Sequence, residues 1–334
     1  MPDVLLEAKG LTRHFRIGGL RGRSLHAVDD LDMAISDREV VALVGESGSG
    51  KSTVARLLTM VYRPTKGEIF FRGKPVSQLR RRRDLLAYRG QVPMVFQDPF
   101  SSLNPAHTVG YVLTRGLKLH RRELGRRERQ AEAERVLETV GLVPPAQVMS
   151  KYPYELSGGQ RQRVGFAQAL SYRPKLIIAD EPVSMLDVSI RIGLLNVMAR
   201  LRDEEMVSVL YITHDIASAR YVSDRVLVMY AGHLVEYGPV EEVLQEPVHP
   251  YTQLLLSAVP DPRAPLGVTP PDVGEPPRVV DPGEGCRFRW RCPLAAQVCS
   301  QATPRLELVS PGHRAACHVN APASTSTIAT EVGS

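Results

Sequence analysis

A glycine-rich stretch near residue 50 has the composition and spacing needed to hold a phosphate group. Its glycines let backbone N–H groups curve around the phosphate, and a helix that follows adds the partial positive charge of its N-terminus. Lys51 can reach the β- and γ-phosphates of a nucleotide, and the Ser52 hydroxyl can bind Mg²⁺. The stretch fits the P-loop pattern and predicts nucleotide binding. The predicted nucleotide-binding residues here are Gly45, Glu46, Ser47, Gly48, Ser49, Gly50, Lys51, Ser52 and Thr53.

Two carboxylates follow a short apolar run farther along the chain. Asp180 ends the run LIIAD, and Glu181 comes directly after it. An acidic residue at the end of a buried strand beside a P-loop is the expected second contact of Mg²⁺. Glu181 is then placed to polarise an attacking water as a general base. The alternative is a pair of surface carboxylates, but the apolar run would deliver both to the sheet edge that carries the P-loop.

The stretch Leu156-Ser-Gly-Gly-Gln160, followed by RQRVGFAQAL, is the most specific pattern in the chain. Ser157 is a preferred helix N-cap, and the glycines after it open a helix whose N-terminus can bind a second anion. The stretch resembles the signature sequence of the ATPases of ABC transporters. The resemblance implies that it contacts ATP held by the P-loop of a partner subunit. Its members are Leu156, Ser157, Gly158, Gly159 and Gln160.

Other positions match the same family in the same order along the chain. By this resemblance, Gln97 contacts Mg²⁺ or the attacking water, and His214 contacts the γ-phosphate. Asp187 ends the segment Ser184-Met-Leu-Asp187, which resembles a loop that contacts the other ATPase across a dimer. Phe15 is similar to an aromatic residue, usually Tyr, that stacks on adenine. The Mg²⁺ ligands implied together are Ser52, Gln97 and Asp180.

The resemblance spans residues 4–257 and implies a fold and a mechanism. The fold is an α/β P-loop ATPase of ABC type, with a RecA-like core, an antiparallel β subdomain and an all-helical signature subdomain at about residues 100–170. Two such domains facing head to tail would hold two ATP molecules between them and drive separate permease subunits. Water would attack the γ-phosphate in line, with Glu181, His214 and Gln97 as the catalytic residues.

The pattern of apolar residues supports an α/β core. Residues 39–45, 175–180 and 208–215 are short apolar runs typical of buried strands, and residues 51–60 have helical periodicity. Strands that alternate with helices indicate a parallel sheet. The stretch from 108 to 141 is rich in Arg, Glu, Leu and Ala, and we expect it to be helical throughout.

A change in composition marks the end of this core. Eight prolines fall within residues 260–282, which excludes a continuous helix or a central strand there. We expect an ATPase domain at 1–259, an extended connector at 260–285, a small four-cysteine domain at 286–320 and a disordered tail at 321–334.

The four cysteines of the chain all lie in its last fifty residues. In a reducing compartment they favour a metal or cluster site over disulfides. Their spacing lacks the CxxC pairs of common zinc sites, and four thiolates suit a [4Fe-4S] cluster equally well by number. A cluster, zinc and free thiols all remain open. We expect residues 287–291 to pack around this site. The four are Cys286, Cys292, Cys299 and Cys317.

Three segments resemble one subgroup of the family, the ATPases of oligopeptide, dipeptide and nickel importers. They are FQDPFSSLNP at residues 96–105, HPYTQLLLSAVP at residues 249–260 and the cysteine-containing tail. In that subgroup such cysteines are associated with a [4Fe-4S] cluster. The resemblance implies a heterodimer with a second ATPase, two permease subunits and an extracytoplasmic solute-binding protein. The implied function is uptake of di- or oligopeptides, with nickel or another small solute as the alternative.

The composition is that of an ordinary soluble protein, with 43% hydrophobic residues and a net charge of +6 over 334 residues. No apolar run approaches the length of a bilayer span, and the N-terminus lacks the pattern of a signal peptide. We therefore expect a cytoplasmic chain, and the resemblance implies that it is a peripheral protein at the cytoplasmic face of the membrane. Basic runs at 80–83 and 121–129 would suit a soluble ABC ATPase acting on nucleic acid or ribosomes. Interleaved glutamates favour solvated helix faces instead, so we expect no nucleic acid partner.

Overall fold

The computed structural model of the protein describes residues 3–18, 22–98, 103–258, 274, 277 and 279–321. Much of the predicted proline-rich connector and the predicted tail from residue 322 onward lie outside the described residues. The same holds for residues 99–102, in the middle of FQDPFSSLNP.

The strands belong to two sheets within this part of the chain. One sheet is antiparallel, and the other is mostly parallel and carries the strands predicted from the apolar runs. In chain order the strands are β1 (Val4–Ile17), β2 (Arg23–Ser36), β3 (Val40–Val44), β4 (Lys66–Phe71), β5 (Lys74–Pro75), β6 (Met94–Val95), β7 (Leu176–Asp180), β8 (Ser208–Thr213), β9 (Arg225–Tyr230), β10 (His233–Pro239), β11 (Glu307–Ser310) and β12 (His313–Ala315).

The helices surround these sheets and join their strands. Among the described residues, no helix is both long enough and apolar enough to cross a bilayer. In chain order the helices are α1 (Lys51–Leu58), α2 (Arg82–Gln91), α3 (Val109–His120), α4 (Arg126–Thr139), α5 (Pro145–Ser150), α6 (Gly158–Ser171), α7 (Val188–Asp203), α8 (Ile216–Val222), α9 (Val240–Gln245), α10 (Pro250–Ser257) and α11 (Val298–Gln301).

The larger sheet has the strand order β11-β12-β10-β9-β3-β8-β7-β6 and separates two apolar cores. Every residue of β3 is buried, and alternate side chains enter opposite cores. Val40, Ala42 and Val44 pack with α7, α8 and the helical segment, whereas Val41 and Leu43 pack with α1 and the antiparallel sheet. A strand that is buried on both faces explains why this run is continuously apolar. The predicted α/β core is confirmed.

The antiparallel sheet has the order β2-β1-β4-β5 and covers α1 and one face of the larger sheet. The resemblance implied such a subdomain, but the apolar pattern did not mark its strands. Several register shifts interrupt the pairing of β1 with β2, among them one between Ala8 and Leu11. Each irregularity breaks the alternation that identifies a strand.

The stretch from 108 to 141 is helical but not throughout, so that prediction was wrong in one place. It divides into α3 and α4, with a turn between His120 and Arg126. Gly125 is the N-cap of α4, and the Glu128 carboxylate accepts its N–H at 2.5 Å. Arg121, predicted to lie on a solvated face, is only 8% exposed and pairs with Glu123. Helices α3 to α6 pack together as the helical part of the fold.

The cysteine-containing segment extends the larger sheet. Strand β12 pairs antiparallel with β10, with Glu236 opposite Ala315, and β11 pairs with β12. His313 Nε2 lies 2.8 Å from the buried Glu236 carboxylate. The segment is therefore anchored on the ATPase core through strand pairing and a buried polar contact.

Candidate nucleotide-binding site

The glycine-rich loop connects the end of β3 to the start of α1. Gly50, the N-cap of α1, has a φ of 110°, which glycine adopts most readily. Lys51 Nζ donates to the carbonyl oxygens of Gly45 at 2.7 Å and of Glu46 at 2.9 Å. Lys51 is only 4% exposed, and burial lowers its pKa while nearby carboxylates, Glu181 first, raise it. The loop thus carries a buried amine of the kind that binds phosphate oxygens.

Gly50→Ala is expected to abolish nucleotide binding. A Cβ at this position would lie 2.3 Å from the carbonyl oxygen of Ala27 and 2.7 Å from Met229 Cε, so the loop would have to move. Gly73→Ala is a matched control, because Gly73 also has a positive φ of 71° but a Cβ there meets no described atom within 4 Å. Both changes cost about 1–2 kcal/mol for the left-handed backbone. Calorimetric titration with ATP separates them, and equal affinities would contradict the role given to this loop.

Asp180 ends β7 beside the glycine-rich loop. It pairs with Ile212 of β8, and β8 lies next to β3, the strand that leads into the loop. Ser52 Oγ donates to Asp180 Oδ1 at 3.1 Å. Burial raises the pKa of Asp180, and the hydrogen bond from Ser52 partly offsets that rise. Mg²⁺ takes oxygen ligands, so this hydroxyl and buried carboxylate fit the predicted magnesium site.

The three predicted catalytic residues meet at one carboxylate oxygen. Gln97 Nε2 donates to Glu181 Oε2 at 3.1 Å, and His214 Nδ1 lies 3.4 Å from the same oxygen. Glu181 has a φ of 46°, and its backbone N–H donates to the carbonyl of Ile212 at 2.9 Å. Its side chain is 16% exposed. A water could therefore reach a carboxylate that is held in place from both its backbone and its side chain.

An open cleft of about 1040 Å³ lies over the glycine-rich loop. Lys51, Gln97 and Glu181 line one part of it, and Phe15 lines another. The Phe15 ring packs edge-on against Tyr62, with their centroids 5.4 Å apart. The cleft therefore places an aromatic side chain and the glycine-rich loop around one volume, an arrangement that would suit a nucleotide.

The predicted signature stretch does not reach this cleft. Ser157 is the N-cap of α6, and its Oγ accepts the N–H of Gln160 at 3.2 Å. A Cβ on Gly159 would lie 2.4 Å from Ile190 Cγ2, so this glycine allows α6 to pack closely on α7. None of the described residues lining the cleft comes from 156–160.

The loop around Asp187 presents apolar side chains to solvent. Asp187 is the N-cap of α7 without a side-chain capping bond. Its neighbours Met185 and Val188 are 65% and 70% exposed, and Ile192 one turn later is 46% exposed. Contiguous exposed apolar groups are typical of surfaces that bind another protein.

The four cysteines are neighbours in space. Cys299 and Cys317 are buried, Cys286 and Cys292 are half-buried, and all four are free thiols. Burial raises the pKa of the Cys286 thiol to about 11, and the other three cysteines add to the rise. Among the described residues, no three of these sulfurs lie within 4.8 Å of one another.

Two residues that sequence reasoning did not mark as functional contact the glycine-rich loop. Arg291 Nη1 and Nη2 donate to the two carboxylate oxygens of Glu46 at 2.8 and 2.9 Å. Tyr251 Oη accepts the backbone N–H of Glu46 at 2.8 Å. Both residues lie in segments that the sequence analysis noted, but a contact across 245 positions leaves no local pattern. Trp290, expected to pack around the cysteines, is instead 78% exposed.

Comparison with known families gives two matches on different parts of the chain. Residues 28–184 match the family described as ABC transporter. Residues 235–299 match the family described as oligopeptide/dipeptide transporter, C-terminal region. The second match covers most of β10, all of α10 and three of the four cysteines.

Similar proteins extend along almost the whole chain. A probable peptide ABC transporter ATP-binding protein of Sinorhizobium fredii is 44% identical, over 98% of this chain and 93% of its own length. An oligopeptide transport ATP-binding protein of Bacillus subtilis is 41% identical, over 95% of this chain and 98% of its own length.

Solved structures show the same fold. A dimeric ATP-binding cassette in a post-hydrolysis state, bound to ADP and Pi, has a TM-score of 0.63 at 27% identity, covering 71% of this chain and 99% of its own. The protein cbiO1 of Clostridium perfringens, part of an ABC transporter complex, has a TM-score of 0.63 at 28% identity, covering 73% of this chain and 92% of its own.

Proposed function

The chain belongs to the ATP-binding subunits of ABC transporters, within the oligopeptide/dipeptide group, and from this premise we propose that it powers the uptake of di- and oligopeptides. The observation that carries the proposal is the convergence of Lys51, the Ser52–Asp180 pair and Glu181 on one cleft. Relatives named for peptide transport supply the solute class.

In the proposed reaction the chain's own residues bind ATP and activate water. Lys51 and the loop N–H groups would hold the phosphates, and Ser52 and Asp180 would supply oxygen ligands to Mg²⁺, which would neutralise charge on the phosphates. Glu181 accepts a proton from the attacking water. Gln97 and His214 orient the Glu181 carboxylate, because both contact its Oε2 atom.

The proposed site is completed by a second ATPase. The signature stretch lies outside its own cleft, and the exposed apolar side chains beside Asp187 suit a protein interface. A dimeric arrangement is described for a similar cassette bound to ADP and Pi. We propose a head-to-tail heterodimer in which residues 156–160 contact the ATP of the partner.

The membrane partners follow from the same group of transporters. The chain would bind two permease subunits at the cytoplasmic face and act with an extracytoplasmic solute-binding protein. ATP-driven closure of the ATPase pair would then move the permeases between inward- and outward-facing states.

The four cysteines are proposed to hold a [4Fe-4S] cluster in a segment that begins at Cys286, with Zn²⁺ as the alternative. Four neighbouring free thiols supply the number of ligands that a [4Fe-4S] cluster takes. When bound, it would staple the segment that follows the proposed connector. Protein purified without oxygen should be brown with iron–sulfur absorption, and a colourless protein with one zinc per chain would contradict the cluster.

Affinity purification from the membranes of cells that produce the protein tests its place in a transporter. The tagged chain should recover two multi-span permeases and a second ATPase, identified by mass spectrometry. Recovery of ribosomes or nucleic acid with no membrane protein would contradict the proposal and support a soluble ABC ATPase.

A further inference from the structure

The short segment between the first two cysteines lies against the glycine-rich loop. Arg291 forms a two-pronged ion pair with Glu46, at 2.8 and 2.9 Å, and its side chain is only 8% exposed. Paired N–H···O bonds from a guanidinium to a carboxylate fix geometry as well as supply energy. The hydrogen bonds to Glu46 raise the pKa of Arg291 above its ordinary value. The Arg291–Glu46 contact is therefore a bidentate ion pair with a buried arginine, and not an exposed surface ion pair.

Aromatic side chains pack against the Arg291–Glu46 ion pair. The Arg291 guanidinium lies 5.6 Å from the Tyr230 ring and 5.9 Å from the Phe288 ring. Tyr251 packs on both rings, at centroid distances of 4.6 and 5.5 Å, and its hydroxyl accepts the Glu46 N–H. Glu46 is thus held through its backbone by Tyr251 and through its side chain by Arg291. Its carbonyl in turn accepts a hydrogen bond from Lys51, the proposed phosphate-binding amine.

A second arginine of the same segment reaches the loop by another route. Arg287 donates to the carbonyl of Ala231 and to the carboxylate of Asp29. Gly232, next to Ala231, donates its N–H to the carbonyl of Ser49 in the glycine-rich loop at 2.8 Å. The carbonyl of Gly232 accepts the N–H of Asp29 at 2.9 Å. The Cys286–Cys292 segment is therefore connected to the glycine-rich loop at two places, at Glu46 through Arg291 and at Ser49 through Arg287 and Gly232.

We propose that Arg291, assisted by Arg287, is a positioning residue for ATP. Through these two arginines the Cys286–Cys292 segment sets the affinity of the glycine-rich loop for nucleotide. This inference rests on the proposed ATP site. Arg291 does not line the described cleft and acts through Glu46 and the adjoining backbone. A change in the cysteine segment would be transmitted to ATP binding, and ATP binding would be transmitted back by reciprocity.

Substitution of each partner of the Arg291–Glu46 ion pair, in the full chain, tests the proposal. Arg291→Gln should weaken ATP binding about ten-fold, corresponding to about 1.4 kcal/mol. It should raise KM for ATP and leave kcat at saturation nearly unchanged, because saturating ATP restores the loop. Glu46→Gln breaks the same pair without touching the cysteine segment, and the double variant should bind no more weakly than either single one. Arg291→Lys should recover only part of the lost ATP affinity, because lysine keeps the positive charge but donates from one nitrogen where arginine donates from two.

The chain's single tryptophan gives a second readout. Trp290 adjoins Arg291, is exposed, and lies under the Arg289 guanidinium at 4.8 Å. ATP should change its fluorescence in the wild-type protein, and this change should disappear in Glu46→Gln even at saturating ATP. Arg305→Gln, at an exposed position of the same extension, is the control and should match the wild type.

The outcomes separate the two proposals. This inference alone would be overturned if the wild type, Arg291→Gln and Glu46→Gln all bound ATP equally tightly and ATP did not change the fluorescence of Trp290. Wild-type protein that fails to bind ATP would overturn the proposed function as well. If the losses of ATP affinity were additive in the double variant, the inference would also be contradicted, because the two residues would not then act through their shared ion pair.

Discussion

Glu181→Gln is expected to lower ATP turnover about 10³-fold while leaving ATP binding intact. The glutamine keeps the shape of the side chain and its contacts with Gln97 and His214, but it cannot accept the proton of the attacking water. ATP should therefore accumulate between the two ATPases and hold them together. Phosphate release from the purified complex measures the first effect, and size-exclusion chromatography with ATP measures the second.

The control for this change is Glu204→Gln, which removes a carboxylate that is 69% exposed beyond α7. Its phosphate release should equal that of the wild type. Normal turnover by Glu181→Gln would show that another group activates the water, and the role given to the carboxylate after β7 would be wrong.

Lys51→Ala is expected to weaken ATP binding about 100-fold, because a hydrogen bond to a charged group contributes roughly 1.5–3 kcal/mol. Removing the buried charge relieves a desolvation cost that offsets the loss of the hydrogen bonds from Lys51 to the carbonyls of Gly45 and Glu46, so the melting temperature of the nucleotide-free protein should change little. Titration calorimetry with ATP and thermal unfolding without it measure the two effects.

The matched control is Lys118→Ala, at an exposed position of α3. It should change neither quantity. A Lys51→Ala protein that loses ATP affinity only because it is unfolded without nucleotide would contradict the assignment of Lys51 as a phosphate ligand.

The parts of the fold that could be predicted are those whose signal is local. The run that becomes β3 is buried on both faces, so its apolar character is continuous and its glycine ending is visible in the sequence. The run that ends at Asp180 behaves in the same way. Sheet pairing then brings the two strand ends together, which is why the Ser52–Asp180 contact follows from the pattern.

The parts that could not be predicted depend on broken periodicity or on distance. Strands β1 and β2 lose their alternation at register shifts. A turn separates α3 from α4 within an otherwise helical composition, and α4 begins where Glu128 accepts the N–H of its N-cap, Gly125. The pairing of Arg291 with Glu46 joins opposite ends of the chain, so only the folded structure reveals it. An arginine between two cysteines is compatible with simple packing until its partner is seen.

The most direct test is ATP-dependent transport of a labelled dipeptide by proteoliposomes that contain the complete complex and its binding protein. The structure and its relatives predict transport that requires ATP with the wild-type chain and is lost when this chain alone carries Glu181→Gln. Equal transport by the two complexes would contradict the central claim that hydrolysis at this site drives peptide uptake.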